Sequence, residues 1–538
     1  MERKKPVDIS RRIIVSFAAL FLAFGVIPMR LMTILLGAAQ EAAAGTNGGK
    51  VITVAESRGL IYDCNGERLV GYETQGFAAL KPTAGALALL KERLNEQEFE
   101  QANASLAAGQ PLVLKTNKTL LHDDILMLST VKRTSFDALA CHLIGYTDET
   151  GEGVCGLEKS LNETLNRYRG ELKVRFHCDA NGRVLVGSPM ETLDDHYDSA
   201  GGVVLTLNKT FQQATENALD VCGLKTGAAV ILDCADGGVC AMASRPRFDP
   251  THVADSLHDA SSPLFNRALA AYPVGSVFKL LIAAAALEQG IDPVREWTCS
   301  GSVSVGGSTF RCLKAHGTVD LPQALAYSCN CYFIHLMQQL DVKGVLELAQ
   351  CFGFGQPLTL SDGLVSSGGV LPTVEALSSP AEKANFSFGQ GSLTASVLQV
   401  ASLYAAVFCG GNYHEPYLIR GEIDESGDYT ETHENQPPFK LLKQKNALLL
   451  SDLLGVAVRE GTGKNALVEG AACKGKTATA QSGDYASGRE RLVSWFAGGF
   501  TCRGKQYAMV VLCDDGVSGS VDCAPVFAAA VRRILAER

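Results

Sequence analysis

Apolar residues form a long run near the start of the chain. Residues 13–36 are mostly apolar and carry a single charge, on Arg30. The run is long enough to cross a hydrocarbon layer of ~30 Å. Basic residues precede it and few follow it, which places the start of the chain inside the cell. The pattern therefore predicts a cytoplasmic tail over residues 1–12, one membrane-spanning anchor over 13–36 and an extracytoplasmic remainder.

Two other interpretations of this run are open. A cleaved signal peptide would use the small residues Ala42, Ala43 and Ala44 for cleavage. A buried core helix is disfavoured by the position of the run and by its basic flank. The length of the run and Arg30 favour an uncleaved anchor, with the protein in the cell membrane and its body outside the cytoplasm.

Residues 45–200 alternate between β-type and helical patterns and contain no pair of nucleophile and base. After a glycine-rich linker, turn residues and apolar periodicity delimit the elements. The pattern predicts strands on both sides of an Asn65-Gly66 turn, helical structure around 82–110, a strand at His142–Tyr146, a helix at Gly156–Leu165 and β-structure over 173–207 with an Asn181-Gly182 turn. We interpret residues 45–200 as a structural pedestal domain.

From residue 201 onwards, continuous apolar runs alternate with strongly helical segments. Short apolar runs of this kind are typical of strands that are buried on both faces. The pattern predicts strands at Gly227–Asp233, Gly238–Ser244, Ser494–Phe500 and Tyr507–Cys513, and helices at Thr210–Leu219, Leu393–Phe408, Leu441–Glu460 and from Pro525. Residues 201–538 are thus expected to form one α/β (α+β) domain, a sheet with helices on both sides.

Composition restricts the class of partner. The 538 residues have a formal net charge of −9 and lack a basic stripe with interleaved aromatic residues, which argues against nucleic acid. The 17 cysteines are scattered without a C-x-x-C pair, and Cys329-x-Cys331 has the wrong spacing for zinc. Disulfides and free buried thiols are equally compatible with this distribution. The sequence predicts neither a metal nor a cofactor.

Ser276-x-x-Lys279 precedes an apolar run, Leu280–Leu287, that predicts a buried helix. Side chains at i and i+3 share a helix face, so the Lys279 amine could reach the Ser276 hydroxyl. The first turn of a helix also offers free N–H groups to an oxyanion. A serine N-cap with a solvated lysine is the alternative, because this pattern is common by chance.

Two further segments carry reactive or hydrogen-bonding side chains. Ser328 and Asn330 lie in a turn between helical stretches, where both can point to one side. Residues 476–481 read as a strand, with Lys476 and Ala478 on one face and Thr477 and Thr479 on the other. An edge strand of this type can bind an extended peptide. Taken singly, an ordinary turn and an ordinary polar strand explain them equally well.

In combination, Ser-x-x-Lys, Ser-x-Asn and Lys-Thr-x resemble the motif set of penicillin-binding proteins and serine β-lactamases. Within this superfamily the chain is similar to the class B penicillin-binding proteins, which are membrane-anchored peptidoglycan D,D-transpeptidases. The resemblance covers about residues 57–538 and includes Arg58-Gly59-x-Ile61-x-Asp63-x-Asn65-Gly66, His142-x-x-Gly145-Tyr146, Gly156-Leu157-Glu158, Asn266-Arg267-Ala268, Gly389-Gln390-Gly391, Gly461-Thr462-Gly463 and Trp495-Phe496-x-Gly498.

This resemblance implies a β-lactamase-like transpeptidase domain, with a central antiparallel sheet flanked by helices, after an elongated β-rich pedestal. It also implies the catalytic roles. Ser276 is expected to attack the D-Ala-D-Ala bond of a stem peptide, with Lys279 as base. Ser328 would relay a proton to the leaving amine, supported electrostatically by Lys476, and Asn330 would hold the substrate amide. No cofactor takes part.

The substrate-binding residues follow from the same resemblance. The N–H groups of Ser276 and Thr479 would form an oxyanion hole, and the hydroxyls of Thr477 and Thr479 would bind the terminal carboxylate. The family usually has glycine where this chain has Ala478. Because a methyl group adds bulk beside the acyl group, we expect Ala478 to slow acylation by some β-lactams.

The resemblance also sets the alternatives and the partners. A β-lactamase would need a water-activating group, and no E-x-x-L-N motif lies between Asn330 and Lys476. A β-lactam sensor or catalytically weak scaffold is the non-enzyme alternative. Expected partners are peptidoglycan stem peptides, β-lactams as covalent inhibitors, a polytopic membrane glycosyltransferase and other wall-synthesis proteins. A role in division, elongation or sporulation is left open.

Overall fold

A computed structural model of the chain describes residues 49–537 apart from Ala180, Asn435 and Ser487. The predicted tail over residues 1–12 and anchor over 13–36 lie outside these described residues. Among the helices of the described part, none is both long and apolar enough to cross a membrane.

The described elements are numbered in chain order. The strands are β1 (Gly49–Ser57), β2 (Leu60–Tyr62), β3 (Glu73–Leu80), β4 (Leu112–Lys115), β5 (Ile125–Lys132), β6 (Gly170–His177), β7 (Met190–Asp195), β8 (Gly202–Leu205), β9 (Gly227–Asp233), β10 (Val239–Arg245), β11 (Ala271–Pro273), β12 (Trp297–Cys299) and β13 (Ser302–Val305). They continue with β14 (Ser308–Arg311), β15 (Gly317–Val319), β16 (Thr359–Ser361), β17 (Leu364–Val365), β18 (Thr394–Ser396), β19 (Asn412–Tyr413), β20 (Ile419–Ile423), β21 (Tyr429–Thr432), β22 (Phe439–Lys440), β23 (Lys474–Ala486), β24 (Arg489–Cys502) and β25 (Lys505–Asp514).

The α-helices are numbered in the same way. They are α1 (Ala84–Arg93), α2 (Glu96–Ala107), α3 (Cys141–Ile144), α4 (Gly156–Ser160), α5 (Asn162–Asn166), α6 (Lys209–Val221), α7 (Lys279–Glu288), α8 (Leu321–Tyr327), α9 (Asn330–Met337), α10 (Val342–Cys351), α11 (Pro380–Phe386), α12 (Val397–Phe408), α13 (Gln444–Arg459) and α14 (Ala524–Ala536). Short 3₁₀ turns occur at Val253–Ser256, Gly275–Phe278, Ala376–Ser378 and Lys464–Ala466, and a π-turn at Gly519–Cys523.

The chain forms two compact units. The smaller unit contains described residues up to Glu56, together with Thr74–Thr130 and Gly170–Tyr197. It holds two three-stranded sheets, ordered β1-β6-β7 and β4-β3-β5. Alternate residues of β6 are buried, because a strand directs every second side chain to the same face. A capping box between Asn95 and Glu98 begins α2, which packs with α1 on a core around Leu90 and Leu106.

The larger unit is built on a five-stranded antiparallel sheet ordered β10-β9-β25-β24-β23. Every residue of β9 and β10 is buried. Val230 and Leu232 contribute to one core, whereas Ala229 and Ile231 contribute to a second core on the opposite face. Helices α7 and α12 belong to the first core, and α6 and α14 to the second. The predicted sheet with helices on both sides is therefore confirmed.

Three local predictions were wrong in detail. Residues 142–144 of the strand predicted at His142–Tyr146 lie in α3 instead, because short apolar runs do not distinguish the two states. The helix predicted from Leu393 begins only at Val397, after β18, with Ser396 as its N-cap. After the Asn65-Gly66 turn, the second predicted strand is reduced to one bridge between Tyr62 and Arg68, and β2 pairs with β8.

Two sequence motifs, Arg58-Gly59 and Gly156-Leu157-Glu158, lie far apart in the sequence and meet in the larger unit. Glu158 is 1% exposed, and its carboxylate pairs with Arg133 Nε at 2.7 Å and with Arg58 Nε at 3.6 Å. Arg58 itself is buried. A buried cluster of this kind costs much desolvation, so removing the carboxylate would leave two guanidinium groups without their counter-ion.

We expect Glu158→Ala to lower the free energy of unfolding by about 3 kcal/mol, because it leaves buried charge unpaired. Chemical denaturation of the full chain in detergent measures this effect. Glu347→Ala is the matched control, since Glu347 pairs with Lys343 on an exposed helix surface. The control should change stability by less than about 1 kcal/mol. Equal effects of the two substitutions would contradict a structural role for the cluster.

Candidate active site

Ser276 lies in a tight turn at the start of a buried helix. Residues Gly275–Phe278 form a 3₁₀ turn that leads directly into α7. Ser276 is partly exposed, whereas Lys279 is fully buried. Gly275 has a φ of +64°, a conformation that glycine adopts without steric cost. This backbone turn presents Ser276 at the surface while it directs Lys279 inward.

Three hydrogen bonds from distant segments hold this turn. The Gly275 N–H donates to the Gly389 carbonyl at 2.7 Å. The Trp495 indole N–H donates to the Pro273 carbonyl at 2.9 Å. The Tyr404 hydroxyl donates to the Val277 carbonyl at 3.1 Å. Because both aromatic side chains are fully buried, the turn is fixed to the core of the domain.

The Lys279 amine joins two of the predicted motifs. Its Nζ lies 2.9 Å from the Ser328 carbonyl oxygen, 3.1 Å from Ser328 Oγ and 2.7 Å from Asn330 Oδ1. Asn330 Nδ2 donates to the Arg311 carbonyl at 2.9 Å, which orients the amide so that Oδ1 faces the lysine. Ser328 has a φ of +60° at the end of α8, and α9 begins at Asn330.

This arrangement defines where a neutral Lys279 can accept a proton. A neutral amine has two N–H donors and one lone pair, and the Ser328 carbonyl and Asn330 Oδ1 can only accept. When these two oxygens take both donors, the lone pair is left for a hydroxyl. Ser328 Oγ is the hydroxyl within reach at 3.1 Å. Among the residues that the structure describes, the Ser276 hydroxyl makes no hydrogen bond, so the expected contact with Lys279 is not formed here.

Burial changes the proton affinity of both lysines. It lowers the pKa of Lys279 to about 7, against the opposing effect of the thiols of Cys329, Cys312 and Cys331. Burial, and then the charge on Lys279, hold the pKa of Lys476 well below its usual range. Since desolvation disfavours the ammonium form, Lys279 is partly neutral near pH 7. A neutral lysine is the form required of a general base.

Lys476 is held by a threonine to which no role had been assigned. Lys476 Nζ donates to the Thr477 carbonyl at 2.9 Å and lies 3.4 Å from Thr462 Oγ1. Thr477 Oγ1 is 2.7 Å from the same Thr462 oxygen. A Cβ on Gly461 would lie 2.2 Å from the Ala326 carbonyl oxygen, so glycine is needed there for Thr462 to approach. The glycines that flank Thr462 in Gly461-Thr462-Gly463 are the feature of the sequence that could have indicated this role.

Strand β23 is an edge strand of the five-stranded sheet and passes beside the Ser276 turn. Thr479 is exposed, while Lys476, Thr477 and Ala478 are buried. An ideal Cβ on Gly275 would lie 3.3 Å from Ala478 Cβ and 3.4 Å from the Thr479 carbonyl oxygen. The Ala478 methyl group therefore faces the turn that carries Ser276, and only 4% of this residue is exposed.

We expect Ala478→Gly to raise the rate of acylation by bulky β-lactams by roughly threefold to tenfold, about 1 kcal/mol in activation free energy. The reason is that the methyl group fills space between β23 and the Ser276 turn. Stopped-flow acylation with several β-lactams measures the effect. Ala472→Gly, at an exposed position just before β23, is the matched control and should leave the rates unchanged. Unchanged rates for Ala478→Gly across the drugs would refute the expectation.

Comparison with known proteins is consistent with this geometry. Residues 227–532 match the penicillin binding protein transpeptidase domain family. Over 369 residues the chain is 31% identical to stage V sporulation protein D of Bacillus subtilis, in an alignment that covers 65% of this chain and 55% of that relative. The chain thus spans little more than half of the length of this relative.

Two solved structures have the same fold. Penicillin binding protein 3 of Mycobacterium tuberculosis, in complex with aztreonam, has a TM-score of 0.64 and 23% identity, covering 90% of this chain and 96% of that chain. A chain from a peptidoglycan synthase complex for polymerization and crosslinking has a TM-score of 0.68 and 23% identity, covering 97% and 98%. Because the family match extends over more than half of the residues, the chain belongs to the penicillin-binding protein transpeptidase family, as one of its class B members.

Proposed function

We propose that the protein is a serine D,D-transpeptidase that cross-links peptidoglycan stem peptides and is acylated by β-lactams. The observation that supports this most strongly is the buried Lys279 amine, hydrogen-bonded to Ser328 and Asn330 one helical turn from Ser276. A lysine without a counter-ion is costly to bury. A base for proton transfer requires such burial, because burial lowers the pKa of the amine and leaves it neutral.

The first step would form the acyl-enzyme. Ser276 Oγ attacks the carbonyl carbon between the two terminal D-alanines, and its proton moves to the neutral Lys279 Nζ, whose lone pair must turn from Ser328 Oγ toward Ser276 for this step. The tetrahedral oxyanion is stabilised by the N–H groups of Ser276 and Thr479, each worth ~3–4 kcal/mol. The C–N bond then breaks, and the leaving amine of D-alanine takes a proton from Ser328 Oγ, which recovers one from Lys279. The hydrogen bond between Nζ and Ser328 Oγ supplies this path.

The second step would form the cross-link. An amine of a neighbouring stem peptide attacks the acyl carbon, gives up its proton along the same path in reverse, and releases Ser276. Thr477 and Thr479 would hold the carboxylate of the donor peptide, and Asn330 its amide. Lys476 keeps the Thr462–Thr477 pair in place through its contacts with both residues. Its positive form would also favour the anionic substrate.

Fluorescent penicillin applied to the full chain in detergent tests this proposal. We expect one covalent adduct per chain, and this adduct should last much longer than the acyl-enzyme of a β-lactamase does. We also expect cross-linked product from membrane-linked stem peptides. Rapid loss of the label would favour a β-lactamase. Stable labelling without any cross-linked product would instead favour a sensor or a scaffold.

We further propose that the protein is anchored in the cell membrane through residues 13–36, with its catalytic domain outside. A polytopic membrane glycosyltransferase is the proposed partner in wall synthesis, in division or sporulation. The support is the apolar run itself, the sporulation name of one relative and the synthase complex among structures of the same fold. Fractionation of cells producing the tagged full chain, and its location during growth and sporulation, test these points.

A further inference from the structure

Three cysteines and a histidine converge directly beside the Ser328-x-Asn330 segment. The sulfurs of Cys299, Cys312 and Cys329 and one ring nitrogen of His316 all lie within 4.8 Å of one another. Cys299 and Cys329 are at most 1% exposed. The four residues come from the end of β12, the loop between β14 and β15, and the turn before α9. We propose that these four side chains form a structural zinc site.

The distances within this cluster match tetrahedral coordination. Cys299 Sγ lies 3.7 Å from Cys312 Sγ and 3.6 Å from His316 Nδ1, and Cys312 Sγ lies 3.8 Å from Cys329 Sγ. Ligands at about 2.3 Å from zinc in a tetrahedron place two sulfurs about 3.8 Å apart. A disulfide requires about 2.05 Å between sulfurs, and each of the 17 cysteines is free in this structure.

The surroundings of the sulfurs also suit metal-bound thiolates. The backbone N–H of Cys331 points at Cys312 Sγ, and that of Tyr332 points at Cys329 Sγ, both at 3.4 Å. Hydrogen bonds of this type orient sulfur ligands and stabilise their negative charge. Three thiolates and one imidazole select zinc among common divalent ions, and a complete set of four protein ligands marks a structural rather than a catalytic site.

The consequence for the enzyme lies in the position of Cys329. It stands between Ser328 and Asn330, the two residues that hold the Lys279 amine. On the other side, Asn330 Nδ2 binds the carbonyl of Arg311, the neighbour of Cys312. A metal bound to Cys312 and Cys329 would therefore fix this segment from both sides. Cys329 acts as a positioning residue, since its sulfur ligates the metal rather than the substrate.

Sequence spacing did not reveal this site. The chain has no C-x-x-C pair, and Cys329-x-Cys331 supplies only one of the four ligands. Cys312-x-x-x-His316 is the one short-range pair in the set, with Cys299 and Cys329 at larger separations on either side. The hairpin formed by β13 and β14 lies between Cys299 and Cys312 in sequence and allows their sulfurs to meet.

Metal analysis of the full chain tests the proposal independently of the proposed function. The chain is purified in detergent with a reductant and without a chelator. Its zinc content is then measured by elemental mass spectrometry. We expect about one zinc ion per chain. The double substitution C299S/C312S should reduce the content to near background, while Cys351→Ser, an exposed cysteine outside the cluster, should retain it. Zinc retained by C299S/C312S would overturn the assignment.

Two measurements on the unaltered chain guard against variants that fail to fold. Cobalt added after chelation should produce the visible absorption of tetrahedral thiolate coordination, and zinc should bleach it. Absence of both zinc and cobalt binding, or a disulfide between Cys312 and Cys331, whose sulfurs lie 3.4 Å apart, would refute the site. Chelation should also slow acylation by penicillin about tenfold to a hundredfold, reversed by zinc. That last readout alone depends on the proposed function.

Discussion

Ser276→Ala is expected to abolish covalent labelling by penicillin, a loss of at least about 10⁴-fold in acylation rate. The acyl-enzyme bond is made to Ser276 Oγ, and the alanine side chain has no atom that can form it. The hydroxyl of Ser276 makes no hydrogen bond to another described residue, so its removal should leave the fold intact. Thermal unfolding of the variant should therefore match that of the unaltered chain.

The matched control for this experiment is Ser426→Ala, an exposed serine in the turn between β20 and β21 of the same unit. It should label at the rate of the unaltered protein. Peptide mapping of the labelled chain should locate the adduct on the peptide that contains Ser276. An adduct that persists in the alanine variant and maps to Ser328 would move the nucleophile to the second motif.

The rate of acylation should depend on pH through the protonation of the Lys279 amine. Because the base must be neutral, the rate should rise about tenfold per pH unit below 7 and level off above, as expected from a pKa of about 7. Acidification protonates the amine and removes its lone pair, which gives the sign of the effect. The charged and titratable groups that face this amine are Lys476, Cys312, Cys329 and Cys331.

Lys279→Met tests the same role by substitution and should slow acylation by about 10²–10⁴-fold, the usual contribution of a general base. Lys343→Met, at an exposed helix position, is the control and should have no effect. Lys279→Arg separates basicity from charge, because arginine stays protonated at every accessible pH. A Lys279→Arg variant that retains both the rate and its pH dependence would exclude Lys279 as the base.

The two buried amines of the site, on Lys279 and Lys476, have different hydrogen-bond partners and therefore different roles. Lys279 contacts groups that can pass a proton, whereas Lys476 contacts a backbone carbonyl and the Thr462 hydroxyl. Each charge opposes the other, so protons are expected to leave the pair in two coupled steps. Thr462 thereby becomes part of the site through Lys476, although among the described residues no hydrogen bond joins it to Ser276.

The sequence was sufficient for the layers of the larger unit and insufficient at short segments. In Gly227–Asp233 every residue before Asp233 is apolar, and burial on both faces of a sheet accommodates that pattern. Cys141–Ile144 is too short for periodicity to decide between helix and strand. After the Asn65-Gly66 turn the structure has a single bridge between Tyr62 and Arg68, and β2 pairs along its whole length with β8, a partner distant in sequence.

The sequence by itself determined the reactive residue types, their order and their family, since Ser276-x-x-Lys279, Ser328-x-Asn330 and Lys476-Thr477 are local patterns. Only the tertiary structure decided which atoms meet. It assigned the Lys279 amine to Ser328 and Asn330, added Thr462 to Lys476, and turned the Ala478 methyl group toward Gly275. It also gathered Cys299, Cys312, His316 and Cys329. Such contacts depend on the packing of segments far apart in the chain, which no local spacing encodes.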